Sequence, residues 1–302
     1  MKIMFMGTSD FAVEALSALC ENGFTPSAVI SQPDKPRNRG KVTPTPVKAK
    51  ALELGIDVFT PDKIKNGEIS ETLEKYKPDL IVVAAYGKIL PEYVLNFPEL
   101  GCINIHASLL PKYRGASPIN FALINGEKET GVTTMYMEKG LDTGDIIFTE
   151  TTPIYDTDNA GTLHDRLAKM GGRLILKTID ALKNGTAPRT KQQEPSSYAP
   201  MIDNTLRKIN FSDSAENIVN LIRGLSPYPS AFAKFEEKNI KIYEARTVTI
   251  NTDAYPGTIC DDKKLIVKTG NGCIEILSLQ PESKKRMSGE DFLRGRRSGH
   301  FE

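Results

Sequence analysis

Short apolar runs alternate with amphipathic stretches through residues 1–185, and this alternation is typical of a parallel α/β sheet. The apolar runs predict buried strands at residues 2–6, 27–31, 79–84 and 102–106. The stretches between them, with apolar positions three or four residues apart, predict helices at residues 11–20, 47–54 and 69–76. We expect Ser9 or Asp10 to cap the first of these helices and Gly55 to end the second.

The pattern changes after the fourth predicted strand. Residues 118–124 are predicted to be a helix, with Ser117 as N-cap and Pro118 at the first position. Two β-rich runs, residues 131–137 and 145–152, are joined by a glycine-containing loop, which predicts an antiparallel addition to the sheet. A long amphipathic pattern then predicts a helix over residues 161–182.

Residues 186–205 are rich in Pro, Gln, Ser and charged side chains, and they are interpreted as a linker. Beyond it, one helix is predicted at residues 215–225, followed by short strands at residues 231–235, 240–245, 257–259, 264–268 and 273–279. This spacing is typical of a small β-barrel. The predicted fold class is therefore α/β, with a Rossmann-like, mostly parallel sheet domain (1–185), the linker (186–205) and a small OB-like β-barrel domain (206–302).

Composition excludes several classes of protein. The chain has 302 residues, 39% hydrophobic and 25% charged, so it is neither disordered nor collagenous nor a disulfide scaffold. The four cysteines lie far apart without a Cys-x-x-Cys pair, so neither metal nor redox chemistry is expected, and a reducing cytoplasm is the expected compartment. The apolar runs are too short to predict a signal peptide or a membrane span.

The formal net charge of +1 offers no bulk attraction to a polyanion, so such a partner must meet a local patch. One candidate is the long Pro/Gly-rich loop over residues 32–46, which carries Asp34 and the cations Lys35, Arg37, Arg39 and Lys41. The other is the C-terminal tail, whose cations are Lys284, Lys285, Arg286, Arg294, Arg296 and Arg297. A solvated charged face is an equally good interpretation of the tail from the sequence alone.

The turn after the first predicted strand is the place where a dinucleotide-binding fold holds phosphate. Only Gly7 of the expected Gly-x-Gly-x-x-Gly pattern is present, and Asp10 would repel a pyrophosphate. An ordinary strand-to-helix turn is therefore favoured over a nicotinamide cofactor site.

The fourth predicted strand carries two polar side chains where a central strand is normally apolar. Asn104 and His106 lie at positions i and i+2 and share one face of that strand, whereas Ile103 and Ile105 share the other. Both polar side chains can donate hydrogen bonds to an oxygen that gains negative charge. Their alternative role is to satisfy local backbone groups. Asp142, between two glycines, is a candidate general base or an Asx turn, and on spacing alone the turn is favoured.

These residues belong to a set of motifs that resembles the folate-dependent formyltransferases. The chain matches that family in Asn-Ile-His-Ala-Ser-Leu-Leu-Pro (104–111), Tyr-Arg-Gly (113–115), Leu-Asp-Thr-Gly-Asp (141–145), Met-Gly-Thr (6–8), Pro-Asp-Lys-Pro (33–36), Arg-Gly-Lys (39–41) and Ala-Ala-Tyr-Gly-Lys-Ile-Leu-Pro (84–91). In the C-terminal part the matching motifs are residues 256–259, 277–281 and 285–288. Val42 departs from the pattern, since many members carry a second lysine there.

The resemblance implies the roles of the first-domain residues. The catalytic residues would be Asn104, His106 and Asp142, and the formyl donor would be 10-formyltetrahydrofolate, with no metal. The implied folate-binding residues are Ser108, Leu109, Leu110, Pro111, Tyr86, Gly87, Leu90 and Gly140. Tyr113 and Arg114 would be either substrate contacts or residues that order their loop.

The C-terminal motifs imply the acceptor, which would be the α-amino group of methionine on initiator methionyl-tRNA, formylated for translation initiation. The implied tRNA-binding residues are Arg37, Arg39, Lys41, Lys284 and Arg286, and we expect a monomer that acts away from membranes. One alternative is formylation of a nucleotide-sugar amine, which would keep the same three catalytic residues. The other is a non-catalytic RNA-binding protein, for which those residues would be dispensable.

Overall fold

The structure, a computed structural model, describes residues 1–37, 41–294 and 299–302. Two compact units are present. The first unit consists of Met1–Pro118, Thr130–Thr152 and His164–Ala199, and the second unit of Ile119–Glu129, Pro153–Leu163 and Pro200–Glu302. No helix within these described ranges is long and apolar enough to cross a membrane.

The elements have the following bounds. The strands are β1 (Ile3–Gly7), β2 (Ala28–Ile30), β3 (Lys35–Arg37), β4 (Lys41–Thr43), β5 (Val58–Phe59), β6 (Leu80–Ala84), β7 (Cys102–His106), β8 (Arg114–Gly115), β9 (Glu129–Tyr136), β10 (Ile146–Pro153), β11 (Tyr198–Ala199), β12 (Ala231–Phe235), β13 (Lys238–Val248), β14 (Ile266–Lys268), β15 (Cys273–Pro281) and β16 (Met287–Ser288). The helices are α1 (Asp10–Glu21), α2 (Pro46–Glu53), α3 (Ser70–Tyr76), α4 (Glu92–Leu95), α5 (Pro118–Ile124), α6 (Ala160–Lys183), α7 (Asn204–Arg207), α8 (Ala215–Leu225) and α9 (Gly289–Leu293).

A seven-stranded sheet of order β10-β9-β7-β6-β1-β2-β5 forms the centre of the first unit. Strands β7, β6, β1, β2 and β5 run parallel, whereas β9 pairs antiparallel with β7. Every residue of β1 and β6 is buried, as expected for strands covered on both faces. The predicted Rossmann-like, mostly parallel sheet with an antiparallel addition is confirmed.

Helix α1 packs by the side chains that its sequence spacing places on one face, which include Phe11, Ala15, Leu16 and Leu19. Ser9 occupies the N-cap position, but within the described part of the chain its side chain makes no capping hydrogen bond. Helix α2 has a side-chain N-cap, because the Thr45 hydroxyl accepts a hydrogen bond from the Lys48 amide at 3.2 Å.

The second unit is built on a five-stranded sheet in which β12, β13, β15 and β14 follow one another and β16 pairs with β15. All of these pairings are antiparallel. Isolated bridges add the chain end to the sheet, with Phe301 opposite Phe235 and His300 opposite Thr258. The predicted small barrel-like β fold is confirmed for this unit.

Several regions differ from the sequence-based elements, and the short elements β5, β8, α4, β16 and α9 are not expected from the sequence. The predicted strand at residues 257–259 is wrong, because a turn at Gly257 (φ +93°) leaves only single bridges from Thr258 and Ile259. Strands β3 and β4 form a hairpin within the predicted long loop, with Arg37 opposite Lys41. The stretch interpreted as a linker, residues 186–205, contains β11 and the start of α7.

Candidate active site

Strand β7 brings Asn104 and His106 to the same carboxylate. The Asn104 Nδ2 donates to Asp142 Oδ1 at 3.4 Å, and His106 Nδ1 lies 3.7 Å from Asp142 Oδ2. The predicted alternation along the strand therefore holds, since residues i and i+2 meet one partner. His106 is 6% exposed, and the side chain of Asp142 is 12% exposed. The three residues form a half-enclosed polar cluster that combines an amide, an imidazole and a carboxylate.

A backbone carbonyl orients the imidazole of His106. The ring Nε2 lies 2.8 Å from the oxygen of Tyr113, and because a carbonyl can only accept, Nε2 carries the hydrogen of this bond. The nitrogen left to face Asp142 is therefore Nδ1. The hydrogen bond of normal length that fixes the ring is therefore the one that His106 donates to Tyr113, while Asp142 lies 3.7 Å from Nδ1.

The loop that carries Asp142 has a constrained backbone. Asp142 has a φ of +54°, a conformation that Asp tolerates better than most residues. A Cβ on Gly144 would lie 1.9 Å from the oxygen of Tyr136, so only glycine fits at that position. The Gly115 amide donates to Asp142 Oδ2 at 2.9 Å. The carboxylate is thus held by a backbone donor while it faces Asn104 and His106.

The turn after β7 is fixed by Thr133 of β9. The Thr133 hydroxyl donates to the oxygen of Ser108 at 2.7 Å and accepts from the Leu110 amide at 3.2 Å. Ser108 itself is fully buried and its hydroxyl donates to the Lys112 oxygen. Leu110 is also buried, whereas Leu109 and Pro111 are half-buried. The structure therefore leaves Leu109 and Pro111 as the more accessible side chains of the predicted folate-binding turn.

The loop after β6 has the same division between buried and exposed residues. The Tyr86 side chain lies in the core with Leu90, and burial raises the pKa of Tyr86 to about 12. The Tyr86 carbonyl accepts from Thr8 Oγ1 at 2.9 Å and from Gln32 Nε2 at 2.8 Å. Gly87 is exposed, and so is Ile89, at 80%. The side chains of Tyr86 and Leu90 therefore support this loop from the core, and they are not part of its exposed surface.

Lys88 anchors that loop to residues 61 and 62. Its Nζ donates to the oxygens of Pro61 and Asp62 at 2.8 Å and 2.9 Å. Desolvation lowers the pKa of Lys88 from its ordinary value. The loop between β9 and β10 also carries a predicted folate-binding residue, Gly140, which is exposed, and the neighbouring Leu141 is 47% exposed. We call this loop and the loop after β6 the donor loops, because both carry residues predicted to bind the formyl donor. Exposed apolar side chains on both loops are suited to contact with a planar ring.

The predicted tRNA-binding residues lie in both units. Arg37 and Lys41 belong to the β3–β4 hairpin, and Arg39 lies outside the described residues. In the second unit, Lys284 is exposed, and Arg286 Nε donates to Ser278 Oγ at 2.6 Å while its guanidinium lies 4.4 Å from the Tyr243 ring centre. Arg296 and Arg297 of the tail also lie outside the described residues.

Among the described residues, no group of three or more His, Cys, Asp or Glu stands where it could hold a metal ion. The cysteine closest in sequence to the site, Cys102, is buried, and burial raises the pKa of its thiol to about 12. The groups that meet at the site are the Asn104 amide, the His106 imidazole, the Asp142 carboxylate and the Gly115 backbone donor.

A cluster of hydrogen-bond donors and a carboxylate on a central strand of a mostly parallel α/β sheet is typical of an enzyme active site. The family model described as formyl transferase matches residues 1–179, and the model described as formyl transferase, C-terminal domain, matches residues 201–297. The first match covers more than half of the chain. The chain therefore belongs to the formyl transferase family, and the resemblance found in its motifs is confirmed.

Curated relatives match over nearly the full chain. A protein of Pelotomaculum thermopropionicum, named methionyl-tRNA formyltransferase, is 48% identical over 98% of this chain and 96% of its own length. A protein of Bacillus subtilis with the same name is 44% identical over 97% of this chain and 94% of its own length.

Solved structures share the fold at low sequence identity. An N-formyltransferase from Helicobacter canadensis, in complex with folinic acid and dTDP-3-aminofucose, has a TM-score of 0.69 at 24% identity and covers 91% of this chain and 98% of its own. HypX from Aquifex aeolicus, in complex with tetrahydrofolic acid, has a TM-score of 0.65 at 18% identity over 97% of this chain and 47% of its own.

Proposed function

We propose that the protein transfers the formyl group of 10-formyltetrahydrofolate to the α-amino group of methionine on initiator methionyl-tRNA. The observation that carries this proposal is the meeting of Asn104, His106 and Asp142 within 3.4–3.7 Å, in a chain whose full-length relatives are named methionyl-tRNA formyltransferase. The product, formylmethionyl-tRNA, would serve translation initiation.

The residues present can perform each step of an acyl-type transfer. The neutral amine attacks the formyl carbon, a new C–N bond forms, and the formyl oxygen becomes an oxyanion. Asn104 Nδ2 donates to that oxyanion. His106 Nδ1 donates to it in the imidazolium form, in which Nε2 keeps its own hydrogen for the Tyr113 oxygen. Each such donor contributes about 2.7–4 kcal/mol of transition-state stabilisation in comparable sites.

Asp142 is the proposed base of the reaction. Its carboxylate takes the proton that the attacking nitrogen loses, directly or through a water. Collapse of the tetrahedral intermediate restores the carbonyl and breaks the bond to the folate nitrogen, and the leaving nitrogen receives the proton that Asp142 took up, directly or through a water, which returns Asp142 to its carboxylate form. The Gly115 amide, 2.9 Å from Asp142 Oδ2, stays bonded throughout and keeps the carboxylate directed at the reacting groups.

The exposed residues of the two donor loops are suited to binding the folate ring. Gly87 and Ile89 on one loop, and Gly140 and Leu141 on the other, offer apolar surface and accessible backbone. We propose that these loops, together with Leu109 and Pro111, hold the donor. The buried side chains of Tyr86, Ser108, Leu110 and Leu90 would support those loops rather than contact the ring.

The acceptor side of the proposal rests on the cations of both units. Arg37, Arg39 and Lys41 would meet the acceptor stem, and Lys284 and Arg286 the tRNA backbone. Arg286 is held by Ser278 and Tyr243, which fixes a positive charge on the surface of the second unit. We also propose that the protein is a monomer of the cytoplasm, where charged tRNA and the folate donor meet.

Transfer of radiolabelled formyl from 10-formyltetrahydrofolate tests the proposal directly. The purified protein is given methionine-charged initiator tRNA together with amino-sugar nucleotides as competing acceptors. We expect label on the tRNA ester alone, and none when the methionine amine has been acetylated beforehand. Label on the sugars only would replace the proposed acceptor. Binding of tRNA with no label on any acceptor would favour the non-catalytic alternative.

A further inference from the structure

The stretch interpreted from its composition as a linker touches the candidate catalytic loop. We call residues 189–199 the strap. Within the first unit it is held at one end by backbone hydrogen bonds between Thr190 and Ile146 in both directions, at 2.8 Å and 2.9 Å. At its far end the oxygen of Ala199 accepts from the Ala116 amide at 2.8 Å. Between these two anchors lies Gln192, which is half-buried.

The Gln192 side chain uses both ends of its amide. Its Nε2 donates to the oxygen of Asp142 at 2.8 Å and to the oxygen of Gly144 at 2.9 Å. Its Oε1 accepts from Arg114 Nε at 3.0 Å and from Arg114 Nη2 at 2.8 Å. Carbonyl oxygens require a donor and a guanidinium requires an acceptor, so the partners fix the orientation of the amide.

These contacts close a ring around Asp142. The carboxylate of Asp142 is bonded by the Gly115 amide, and the preceding residue, Arg114, is bonded through its side chain to Gln192, which returns to the Asp142 main chain. The Gly115 amide thereby holds the Asp142 side chain, and the Gln192 amide holds its backbone carbonyl. A base in a left-handed backbone conformation needs such support, because that conformation is unfavourable for a residue other than glycine.

We propose that Gln192 is a positioning residue for the Asp142 base, so that the strap completes the catalytic centre of the first unit. This inference rests on the proposed function, since it assigns Gln192 a task in that reaction. Two amide hydrogens fix the main chain of the loop, and a displacement of about 1 Å at a reacting group can cost on the order of 10²-fold in rate.

Gln192→Glu is the most direct test, because it keeps the size of the side chain and the acceptor for Arg114 but replaces two donors by a carboxylate oxygen facing two carbonyls. Gln193→Glu is the matched control, since the neighbouring Gln193 is exposed and the charge change is the same. We expect Q192E to lower kcat by about 10- to 100-fold with KM for tRNA and for the folate donor within about twofold. We expect Q193E to retain the wild-type values.

A double-mutant cycle separates positioning from a general loss of structure. If Gln192 acts through Asp142, adding Q192E to Asp142→Asn changes the single-turnover rate by less than about twofold, because the group being positioned is already gone. A merely structural role would give independent, multiplying losses. Gln192→Ala, which places no charge beside the carbonyls, provides the same cycle if thermal melting shows that Q192E does not fold.

The outcomes distinguish this inference from the proposed function. If the wild-type protein transfers no formyl group to methionyl-tRNA, the proposed function fails. If the wild type is active and folded Q192E or Q192A has the kcat of Q193E, the proposed function stands and the positioning role is overturned. Equal fold losses in the wild-type and Asp142→Asn backgrounds would also overturn it.

Discussion

At the scale of single residues, the candidate site combines side chains that a sequence can indicate with backbone atoms that it cannot. Asn104 and His106 are conspicuous because polar side chains interrupt a buried strand. The Tyr113 carbonyl directs His106, and the Gly115 amide holds Asp142, and both are backbone groups that no side-chain pattern reveals. The proposed donors to the oxyanion and the proposed base therefore depend on the path of residues 113–115.

Replacement of His106 by Ala, or of Asp142 by Asn, should remove chemistry without removing the tRNA site. We expect kcat to fall by about 10²-fold or more, because a donor to the oxyanion or the base is lost. The proposed cations that hold the tRNA are unchanged, so its dissociation constant should remain within about twofold of the wild-type value.

Single-turnover transfer and equilibrium tRNA binding, measured on the same preparations, give the two quantities. Parallel losses in rate and in tRNA affinity would contradict this division of roles. Unchanged rates would remove both residues from the reaction.

Asp142 and Gln192 mark the limit of prediction from sequence at this scale. On spacing alone Asp142 between glycines favours a turn, and its place beside Asn104 and His106 is seen only in the structure. Gln192 lies in a segment whose composition favours a linker, and its partners are carbonyls 48 and 50 residues away. Such contacts leave no periodic signal, so only the fold reveals them.

At the scale of elements, strands and helices with buried faces follow the hydrophobic pattern closely. Strand β7 is found at the predicted residues, and the predicted helix at 161–182 is found as α6 (Ala160–Lys183). In the β3–β4 hairpin Lys35 and Val42 are exposed, and the sequence is rich in Lys, Pro and Arg, so the pattern predicts only a loop there. A side-chain contact links the residue that precedes β3 to helix α2.

That contact joins Asp34 to Lys48 of α2. Lys48 Nζ lies 2.6 Å from Asp34 Oδ2, and both side chains are 24% exposed. The second carboxylate oxygen, Asp34 Oδ1, is buried and has no hydrogen-bond partner among the described residues. Asp34 therefore depends on Lys48 for the compensation of its charge, and it immediately precedes β3.

Lys48→Met should disturb the hairpin and, through it, the proposed contact with the acceptor stem. We expect KM for tRNA to rise by about 3- to 10-fold, equivalent to about 0.7–1.4 kcal/mol, with kcat at saturating tRNA nearly unchanged. Lys50→Met on the same helix is the control, because Lys50 pairs with Glu53, whose side chain is 67% exposed. Steady-state kinetics against tRNA would compare the two variants. An equal KM for K48M and K50M would separate the Asp34–Lys48 pair from tRNA binding.

At the scale of the whole molecule, the two units have different proposed roles: the first holds the candidate catalytic residues, and the second offers positive charge to the tRNA. The first unit holds the polar cluster and the strap, whereas the second unit is an antiparallel sheet around an aromatic core of Phe235, Phe292 and Phe301. Within that unit the proposed contribution to function is charge on its surface. A net charge of +1 for the chain means that this contribution depends on where the cations stand rather than on their number.

Two Lys-Lys pairs of the second unit allow this placement to be tested. Lys285 belongs to the segment that resembles the family motif (285–288) and Lys284 directly precedes it, whereas Lys263 and Lys264 lie before β14. All four side chains are exposed. Each phosphate contact contributes about 0.7–0.9 to the slope of log K against log salt, because counterions are released from the nucleic acid. Removal of a lysine pair that touches phosphates must therefore flatten the slope as well as weaken binding.

We expect K284A/K285A to reduce the magnitude of the salt slope by about 1 to 2, and K263A/K264A, which carries the same change in charge, to leave it unchanged. Fluorescence anisotropy with initiator tRNA over about 50 to 300 mM salt measures both slopes. The rate at saturating tRNA should be the same in both variants, because Asn104, His106 and Asp142 are untouched. If the two doublets shift the slope equally, the second unit attracts tRNA through its total charge, and no defined phosphate contact belongs to Lys284 and Lys285.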